Sequence, residues 1–139
     1  MMDKKEKGRF GEDAAARFLE GKGFHILARN FSMRGGEIDL VGFRKGTLVF
    51  FEVKARSGDS WGKPAEAITE EKMEKIAKAA DGFLKMHCED GTVEIPFFLG
   101  FCMKKKIRVS RIDGVEVYLT REGGLSEVRH IENLMKIEM

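Results

Sequence analysis

Apolar residues recur along the chain at two spacings, one typical of helices and one typical of strands. Helical spacing predicts a first helix over residues 9–21 and a second over residues 65–87 or 69–87. The buried side of the first helix would contain Phe10, Ala14, Ala15, Ala16, Phe18 and Leu19. The buried stripe of the second would contain Ile68, Met73, Ile76, Ala77, Ala80, Phe83 and Leu84.

Shorter apolar runs predict six strands. They cover residues 24–31, 37–44, 47–56, 92–103, 107–119 and 125–131. Lys45-Gly46 is typical of a tight hairpin turn, and residues 104–106 and 121–124 would form later turns. The order α-β-β-β-α-β-β-β predicts an α/β fold, a mixed sheet flanked by helices. No repeat or long linker divides residues 1–139, so a single domain is expected.

Four charged residues lie at one end of the predicted hairpin. If Lys45-Gly46 is the whole loop, Asp39 faces Glu52 and Glu37 faces Lys54. Because side chains alternate along a strand, all four would share a face. That face would also carry Val41, Phe43, Leu48 and Phe50, and the opposite face Ile38, Leu40, Val49, Phe51 and Val53. Both faces are mostly apolar, which is typical of central strands covered on both sides.

Carboxylates gathered on a buried apolar surface repel one another, and a bridging cation would relieve that repulsion. Oxygen ligands favour Mg²⁺ or Mn²⁺ over zinc. A simpler alternative is an ion pair between Glu37 and Lys54, with Asp39 and Glu52 at a wet sheet edge. A register slip of one residue would move Asp39 to the other face.

Glu12 is a further carboxylate on the inward side of the first helix. It precedes Ala15, Ala16 and Leu19 at helical spacing. It is a candidate metal ligand, although an acidic residue near a helix N-terminus is also stabilising by itself.

Composition adds limits to these predictions. The chain has 25 basic and 23 acidic residues, a net charge of +2, so a phosphate-binding surface would need local segregation of charge. The chain begins with charged residues and has no apolar run long enough to span a bilayer, so a cytoplasmic protein without a membrane partner is expected. Cys88 and Cys102 are the only cysteines and suggest a reducing compartment; a bridge between them, or zinc bound with His87, is the alternative.

Two segments have open interpretations. Residues 1–8 are expected to form a flexible basic arm, because Lys4, Lys5 and Lys7 precede Phe10, the first apolar residue of the predicted helix. Residues 92–106 contain a dense apolar run that could be a core strand or an edge used for dimerisation.

The stretch from Gly35 to Leu40, followed by Phe51-Glu52-Val53-Lys54, resembles the PD-(D/E)xK nuclease signature. With residues 8–15, 23–30 and 61–64, the chain resembles the bacterial YraN-like family, which is assigned the restriction-endonuclease-like fold. It is also similar to archaeal Holliday junction resolvases. The resemblance therefore implies a nuclease that acts on DNA, branched or junction DNA included, as a homodimer.

The resemblance carries over Glu12, Asp39, Glu52 and Lys54 as the site, and a nuclease would use further residues around them. The catalytic set would be Asp39, Glu52, Lys54 and Glu37. Ligands to Mg²⁺ or Mn²⁺ would be Asp39, Glu52, Glu12 and the main-chain carbonyl of Val53. Nucleic acid would be contacted by Arg56, Arg29, Arg34 and Lys72. The alternatives are a non-catalytic nucleic-acid-binding module of the same fold and a protein-interaction adaptor that uses residues 95–103.

Overall fold

The computed structural model describes residues 3–57 and 68–138 of the chain. The first helix, α1 (Lys4–Gly21), begins five residues earlier than expected. Asp3 caps it, since its side chain accepts a hydrogen bond of 2.8 Å from the backbone N–H of Glu6. The expectation of a flexible basic arm is therefore wrong from Asp3 onward. The apolar pattern alone does not reveal this cap, which satisfies one of the free backbone N–H groups at the helix N-terminus.

The second helix, α2 (Glu70–His87), begins at the later of the two predicted starts. The Thr69 side chain caps it by accepting a hydrogen bond from the N–H of Lys72 at 3.1 Å. The earlier start and the stretch 61–64 lie outside the described residues. Of the predicted stripe, Ile76, Ala80 and Phe83 are buried and the other four residues are partly buried.

The main sheet has five strands in the order β1-β2-β3-β7-β8, with β3 and β7 parallel and the other pairs antiparallel. A smaller sheet, β4-β5-β6, lies beside it. The strands are β1 (His25–Met33), β2 (Gly36–Arg44), β3 (Thr47–Arg56), β4 (Cys88–Glu89), β5 (Thr92–Pro96), β6 (Cys102–Lys106), β7 (Val109–Leu119) and β8 (Leu125–Ile137). The predicted α/β class, with a mixed sheet flanked by helices, is confirmed.

The single strand predicted over residues 92–103 is wrong, because a turn divides it into β5 and β6. Leu99 and Gly100 have positive φ angles of 53° and 82°, and Phe97 N–H donates to the Phe101 carbonyl at 2.7 Å. The residues of this turn are exposed, whereas Val93 and Ile95 of β5 are buried in the core. Residues 104–106, expected to be a turn, belong to β6.

Apolar side chains cover the main sheet on both faces, as the sequence predicts for central strands. The cluster on the α2 side includes Val41, Phe50, Ile76 and Phe83. The cluster on the α1 side includes Ala15, Leu19, Leu40, Phe51 and Val115. Ile38 and Leu40 were predicted to share a face, and this is wrong, because Ile38 packs in the α2-side cluster and Leu40 in the α1-side cluster. Regular alternation therefore breaks at Asp39, between them.

Asp113 is fully buried and holds β7, β8 and the end of α1 together. It accepts hydrogen bonds from Arg111 at 2.9 and 3.2 Å, from the Asn133 N–H at 2.8 Å and from His130 Nε2 at 2.6 Å. Lys22 Nζ lies 2.6 Å from His130 Nδ1. An ammonium group can only donate, so Nδ1 accepts and Nε2 carries the proton toward Asp113. Burial opposes ionisation, but the bonds from His130 and Arg111 hold the pKa of Asp113 below its usual range. Its role in this network is structural.

Both cysteines are free thiols. Cys88 pairs with Val93 and Cys102 with Pro96, so they lie on the two outer strands of the small sheet. In the described part of the chain, no helix is long and apolar enough to cross a membrane.

Candidate functional site

The β2–β3 hairpin has the predicted register as far as its ladder extends. Arg44 pairs with Thr47, and the pairs continue in step to Leu40 and Phe51. Beyond that pair the ladder ends. Asp39 therefore does not form a ladder pair with Glu52, nor Glu37 with Lys54, and that part of the prediction is wrong.

A side chain replaces the missing ladder. The Oδ2 atom of Asp39 accepts a hydrogen bond of 2.7 Å from the N–H of Val53. The N–H and C=O groups of one strand residue point to the same side of the strand, so the Val53 carbonyl also faces the gap beside β2. Asp39 and the Val53 carbonyl are thus two oxygen donors on one side of β3.

Gly36 brings the beginning of β2 against α2. A Cβ atom at this position would lie 2.4 Å from the Lys75 carbonyl oxygen and 2.9 Å from the Ala79 nitrogen. Both are backbone atoms that cannot move aside without disturbing the helix. Only glycine allows this approach, which places Glu37 and Asp39 close to the first turns of α2.

Gly11 has the same function for α1. A Cβ atom there would lie 2.9 Å from Cβ of Ala55, so the helix approaches β3 more closely than any larger residue allows. The neighbouring Glu12 is brought near enough to raise the pKa of Asp39 through its charge. The inward orientation expected for Glu12 from helical spacing agrees with this.

Asp39 carries the largest described change in acidity. Burial, the charge of Glu52 and, to a smaller extent, the charges of Glu12 and Glu37 together raise its pKa from 3.8 to about 7. The hydrogen bond from Val53 acts in the opposite direction. The Asp39 carboxyl is therefore close to half protonated at neutral pH, and a nearby positive charge would favour its ionised form.

Glu52 has a partner on α2. Its carboxylate forms an ion pair with Lys72 Nζ, and the Glu52 side chain is only 11% exposed, against 48% for Lys72. This carboxylate raises the pKa of Lys72. Lys72 was expected to contact phosphate, and its pairing with Glu52 was not predicted, because no local pattern in the sequence indicates how α2 docks on β3. The alternative ion pair between Glu37 and Lys54 is not found in the described part of the chain.

Asp39, Glu52 and Lys54 line one cleft of about 1120 Å³, between the open end of β2–β3 and the beginnings of α1 and α2. Among the described residues, the acidic members of its lining are Glu37, Asp39, Glu52 and Glu71. The basic members are Lys4, Lys7, Lys54, Arg56, Lys72 and Lys75. Lys4 and Lys7 were expected in a flexible arm, and their part in the cleft follows from the earlier helix start.

Four donors were expected around a cation. Among residues 3–57 and 68–138, no three His, Cys, Asp or Glu side chains come together as a metal-binding group. Glu12 raises the pKa of Asp39 through its charge, and its part as a metal ligand stays a prediction. Two carboxylates and a carbonyl would suit Mg²⁺, an ion that keeps several of its water ligands in proteins.

The other expected nucleic-acid contacts have different environments. Arg29 is exposed but forms an ion pair with Asp13, and Arg34 is exposed in the turn between β1 and β2. Arg56 is buried, and its Nε donates to Glu116 at 3.0 Å. Because the parallel neighbour β7 supplies this carboxylate, Arg56 is a structural residue of the cleft wall and a poor phosphate contact.

Residues 11–117 match the uncharacterised protein family UPF0102. The chain belongs to this family. A UPF0102 protein of Pelotomaculum thermopropionicum is 38% identical over 126 residues, which cover 91% of this chain and 92% of that protein. One of Desulforamulus reducens is 30% identical over 135 residues, covering 96% and 98%. One of Caldanaerobacter subterraneus is 36% identical over 133 residues, covering 95% and 96%.

The YraN-like family resemblance is thereby confirmed. The UPF0102 match begins at Gly11, next to Glu12, and ends just after Glu116, the partner of Arg56. It therefore includes Asp39 and the three glutamates whose charges raise its pKa, Glu12, Glu37 and Glu52. The wider link to PD-(D/E)xK nucleases stays a prediction.

Proposed function

We propose that this UPF0102 chain is a nuclease that uses Mg²⁺ or Mn²⁺ to hydrolyse phosphodiester bonds in DNA. One observation carries the proposal: the Asp39 carboxyl, hydrogen-bonded to Val53, lies beside Glu52 in a cleft where its pKa is raised to about 7. A carboxyl group in a cleft whose pKa is raised strongly, by burial and by a neighbouring charge, is typical of functional sites.

The donor set fits a hard cation. Asp39 and Glu52 supply carboxylate oxygens, and the geometry of β3 turns the Val53 carbonyl to the same side. Ionised Asp39 and Glu52 would repel each other less with such an ion between them. When bound, the cation would lower the pKa of water and offset negative charge that develops on the phosphate.

Lys54 supplies a second function in the same cleft. Its side chain is exposed and lines the cleft two residues beyond Glu52, on the same strand. An ammonium group there can donate hydrogen bonds to a phosphate oxygen or orient the attacking water. Glu37, also in the lining, can accept a proton from that water.

The lining suits a phosphodiester substrate because basic side chains surround the acidic ones. Lys4, Lys7 and Lys75 are available to contact phosphates on either side of the cleavage point. The choice of DNA, with branched or junction DNA among the substrates, and of a homodimer rests on the similarity to junction resolvases alone.

The proposal is tested with labelled linear, nicked and four-way-junction DNA, incubated with purified protein in Mn²⁺, Mg²⁺ or EDTA. Wild type should cleave at least one substrate only with a metal ion. Asp39→Asn and Glu52→Gln should lose cleavage by at least about 100-fold, since each removes a group needed for the transition state. Glu71→Gln is the control, because Glu71 lines the cleft but is exposed on α2.

A second function, a non-catalytic nucleic-acid-binding module, is favoured by the ion pair of Lys72 with Glu52. In that case the carboxylates of the cleft would hold α2 in place, and the basic side chains of the cleft would bind phosphate. Wild type would then bind DNA without cleaving it in any metal ion, and Asp39→Asn would bind as well as wild type.

A further inference from the structure

A second groove lies at the opposite end of the main sheet from the cleft. It has a volume of about 840 Å³ and is formed by the end of α1, the β2–β3 turn and the small sheet. Six of its lining residues carry positive charge: Lys22, Arg44, Lys45, Lys105, Lys106 and Arg108. No aspartate or glutamate is among the described residues that line it. We call this surface the basic groove.

Among the residues that the structure describes, these cations have no carboxylate partners. The ion pairs formed within the described part of the chain involve none of the six residues of the basic groove. The chain has 23 acidic residues that could have neutralised this surface. The groove instead concentrates like charges, which repel one another and are stabilised when an anion binds.

Neutral contacts hold three of the cations in position. Arg44 stacks over the Phe24 ring at 4.6 Å and donates to the Lys22 carbonyl at 3.0 Å. The aliphatic part of the Arg108 side chain packs over Gly46, where an added Cβ atom would lie 3.2 Å from it. The backbone N–H of Arg108 donates to the Gly46 carbonyl at 2.7 Å. Lys22 is fixed by His130. Side chains that are already ordered lose less freedom when they bind a ligand.

Two separate parts of the fold converge on the groove. Lys105 and Lys106 come from β6, whose lysines were expected to form a turn, whereas Arg44 and Lys45 come from the β2–β3 hairpin. The same hairpin carries Asp39 and Glu52 at its other end. Thr47 and Glu52 are five residues apart on β3, roughly 17 Å at about 3.3 Å per residue. The groove is therefore separate from the cleft but rigidly joined to it.

We propose that the basic groove binds the phosphate backbone of a nucleic acid at a distance from the cleft. This inference rests on the proposed function and deepens it, since it makes the substrate an extended polyanion that is held at two places. A recess lined by cations from several elements suits a linear phosphate chain. A membrane surface is more often bound by an amphipathic helix with an apolar face, and here α1 contributes only its last residue, Gly21.

The test measures binding of a fluorescein-labelled 30-base-pair DNA duplex by anisotropy, in EDTA, between 50 and 300 mM KCl. The groove variant is Lys105→Gln/Lys106→Gln/Arg108→Gln. The matched control, Lys85→Gln/Arg121→Gln/Lys136→Gln, removes the same charge from exposed positions outside the cleft and the groove. Circular dichroism confirms that each variant is folded. Anionic and neutral lipid vesicles are tested in parallel.

The groove variant should bind DNA at least about 10-fold more weakly than the control at 100 mM salt. Its plot of log affinity against log salt should have a slope smaller by about 2–3, because each lost phosphate contact removes about 0.9 from the slope. Equal losses in the two variants, no DNA binding by wild type at 50 mM salt, or a groove-dependent loss confined to anionic vesicles would each overturn the proposal. Cleavage is not needed for this result, so an inactive wild type that still binds through the groove would refute only the nuclease.

Discussion

The Oδ2 atom of Asp39 accepts a hydrogen bond from the N–H of Val53 at 2.7 Å, at the point where the β2–β3 ladder ends. A strand partner would normally make this bond with its backbone carbonyl. With the carboxylate in that place, the strands separate and Asp39 is held beside Glu52. The same contact fixes the geometry of the site, in which burial and then the charge of Glu52 raise the pKa of Asp39 although the Val53 bond lowers it.

Asp39→Asn should stabilise the protein in EDTA at alkaline pH. The pKa of Asp39 is raised in the folded state, from 3.8 to about 7, so the folded protein favours the protonated form. Wild-type stability should therefore fall as the pH rises from about 4 to 7 and stay lower above that. Asparagine cannot ionise and can still accept the Val53 bond. Urea unfolding should give the variant an advantage of about 2–4 kcal/mol at pH 8 and little at pH 4.

The Glu71→Gln variant is the control for this comparison, since it removes an acid that does not act on Asp39 in the same way. Its stability should follow the wild-type curve within about 0.5 kcal/mol at both pH values. An Asp39→Asn advantage that is the same at pH 4 and pH 8 would show that ionisation of Asp39 does not oppose folding.

Lys72→Met should tighten binding of Mn²⁺ and weaken binding of DNA. The ammonium group of Lys72 holds the Glu52 carboxylate, and a cation must share or displace it. Because the pair is half exposed on the lysine side, its loss should increase metal affinity by only about 3- to 5-fold. Calorimetry with Mn²⁺ and anisotropy with DNA measure the two effects. Lys75→Met, which changes an exposed neighbour on α2, should leave metal affinity unchanged. A drop in metal affinity for Lys72→Met would contradict this role.

Gly36→Ala should destabilise the protein by about 3 kcal/mol or more, because the added methyl group would overlap the backbone of α2 at Lys75 and Ala79. Gly8→Ala is the control. No atom lies within 4 Å of a Cβ at Gly8, and the position is inside α1, so alanine should stabilise by about 0.5–1 kcal/mol. Chemical denaturation of both variants measures the difference. A neutral Gly36→Ala would mean that β2 does not approach α2 as closely as described.

Arg56→Ala should cost about 3–5 kcal/mol of stability, because it leaves the buried Glu116 without a positive charge beside it and with the Tyr118 hydroxyl as a hydrogen-bond donor. Arg29→Ala breaks the exposed pair with Asp13 and should cost less than about 1 kcal/mol. Thermal unfolding compares the two. If Arg56→Ala keeps full stability and loses DNA binding, Arg56 is a phosphate contact and not a structural residue.

The hairpin and both helices could be predicted from the sequence because their signals are local. Apolar periodicity and the Lys45-Gly46 turn were sufficient for the register from Leu40 to Arg44. The division of residues 92–106 was not predicted, since the run of apolar residues continues through the turn at Leu99-Gly100. A backbone turn inside an apolar stretch leaves little trace in hydropathy.

The acids of the site were predicted, but their arrangement was not. Strand alternation placed Asp39 opposite Glu52, whereas the structure ends the ladder there and turns the Asp39 side chain onto Val53. The partners of Glu52 and Arg56 come from α2 and β7, which are distant in sequence. Such contacts depend on how whole elements pack together, and a single sequence does not contain that information in any local pattern.

The proposed function requires Asp39 and Glu52 to bind one divalent cation together, and calorimetry can measure this binding. Mn²⁺ is titrated into wild type, Asp39→Asn and Glu52→Gln at pH 8 and again at pH 6. We expect binding by wild type at pH 8, about 10-fold weaker affinity at pH 6 because protons compete for Asp39, and a loss of at least about 10-fold in each variant at pH 8. No heat of binding at millimolar Mn²⁺, or equal affinity in all three proteins, would contradict it.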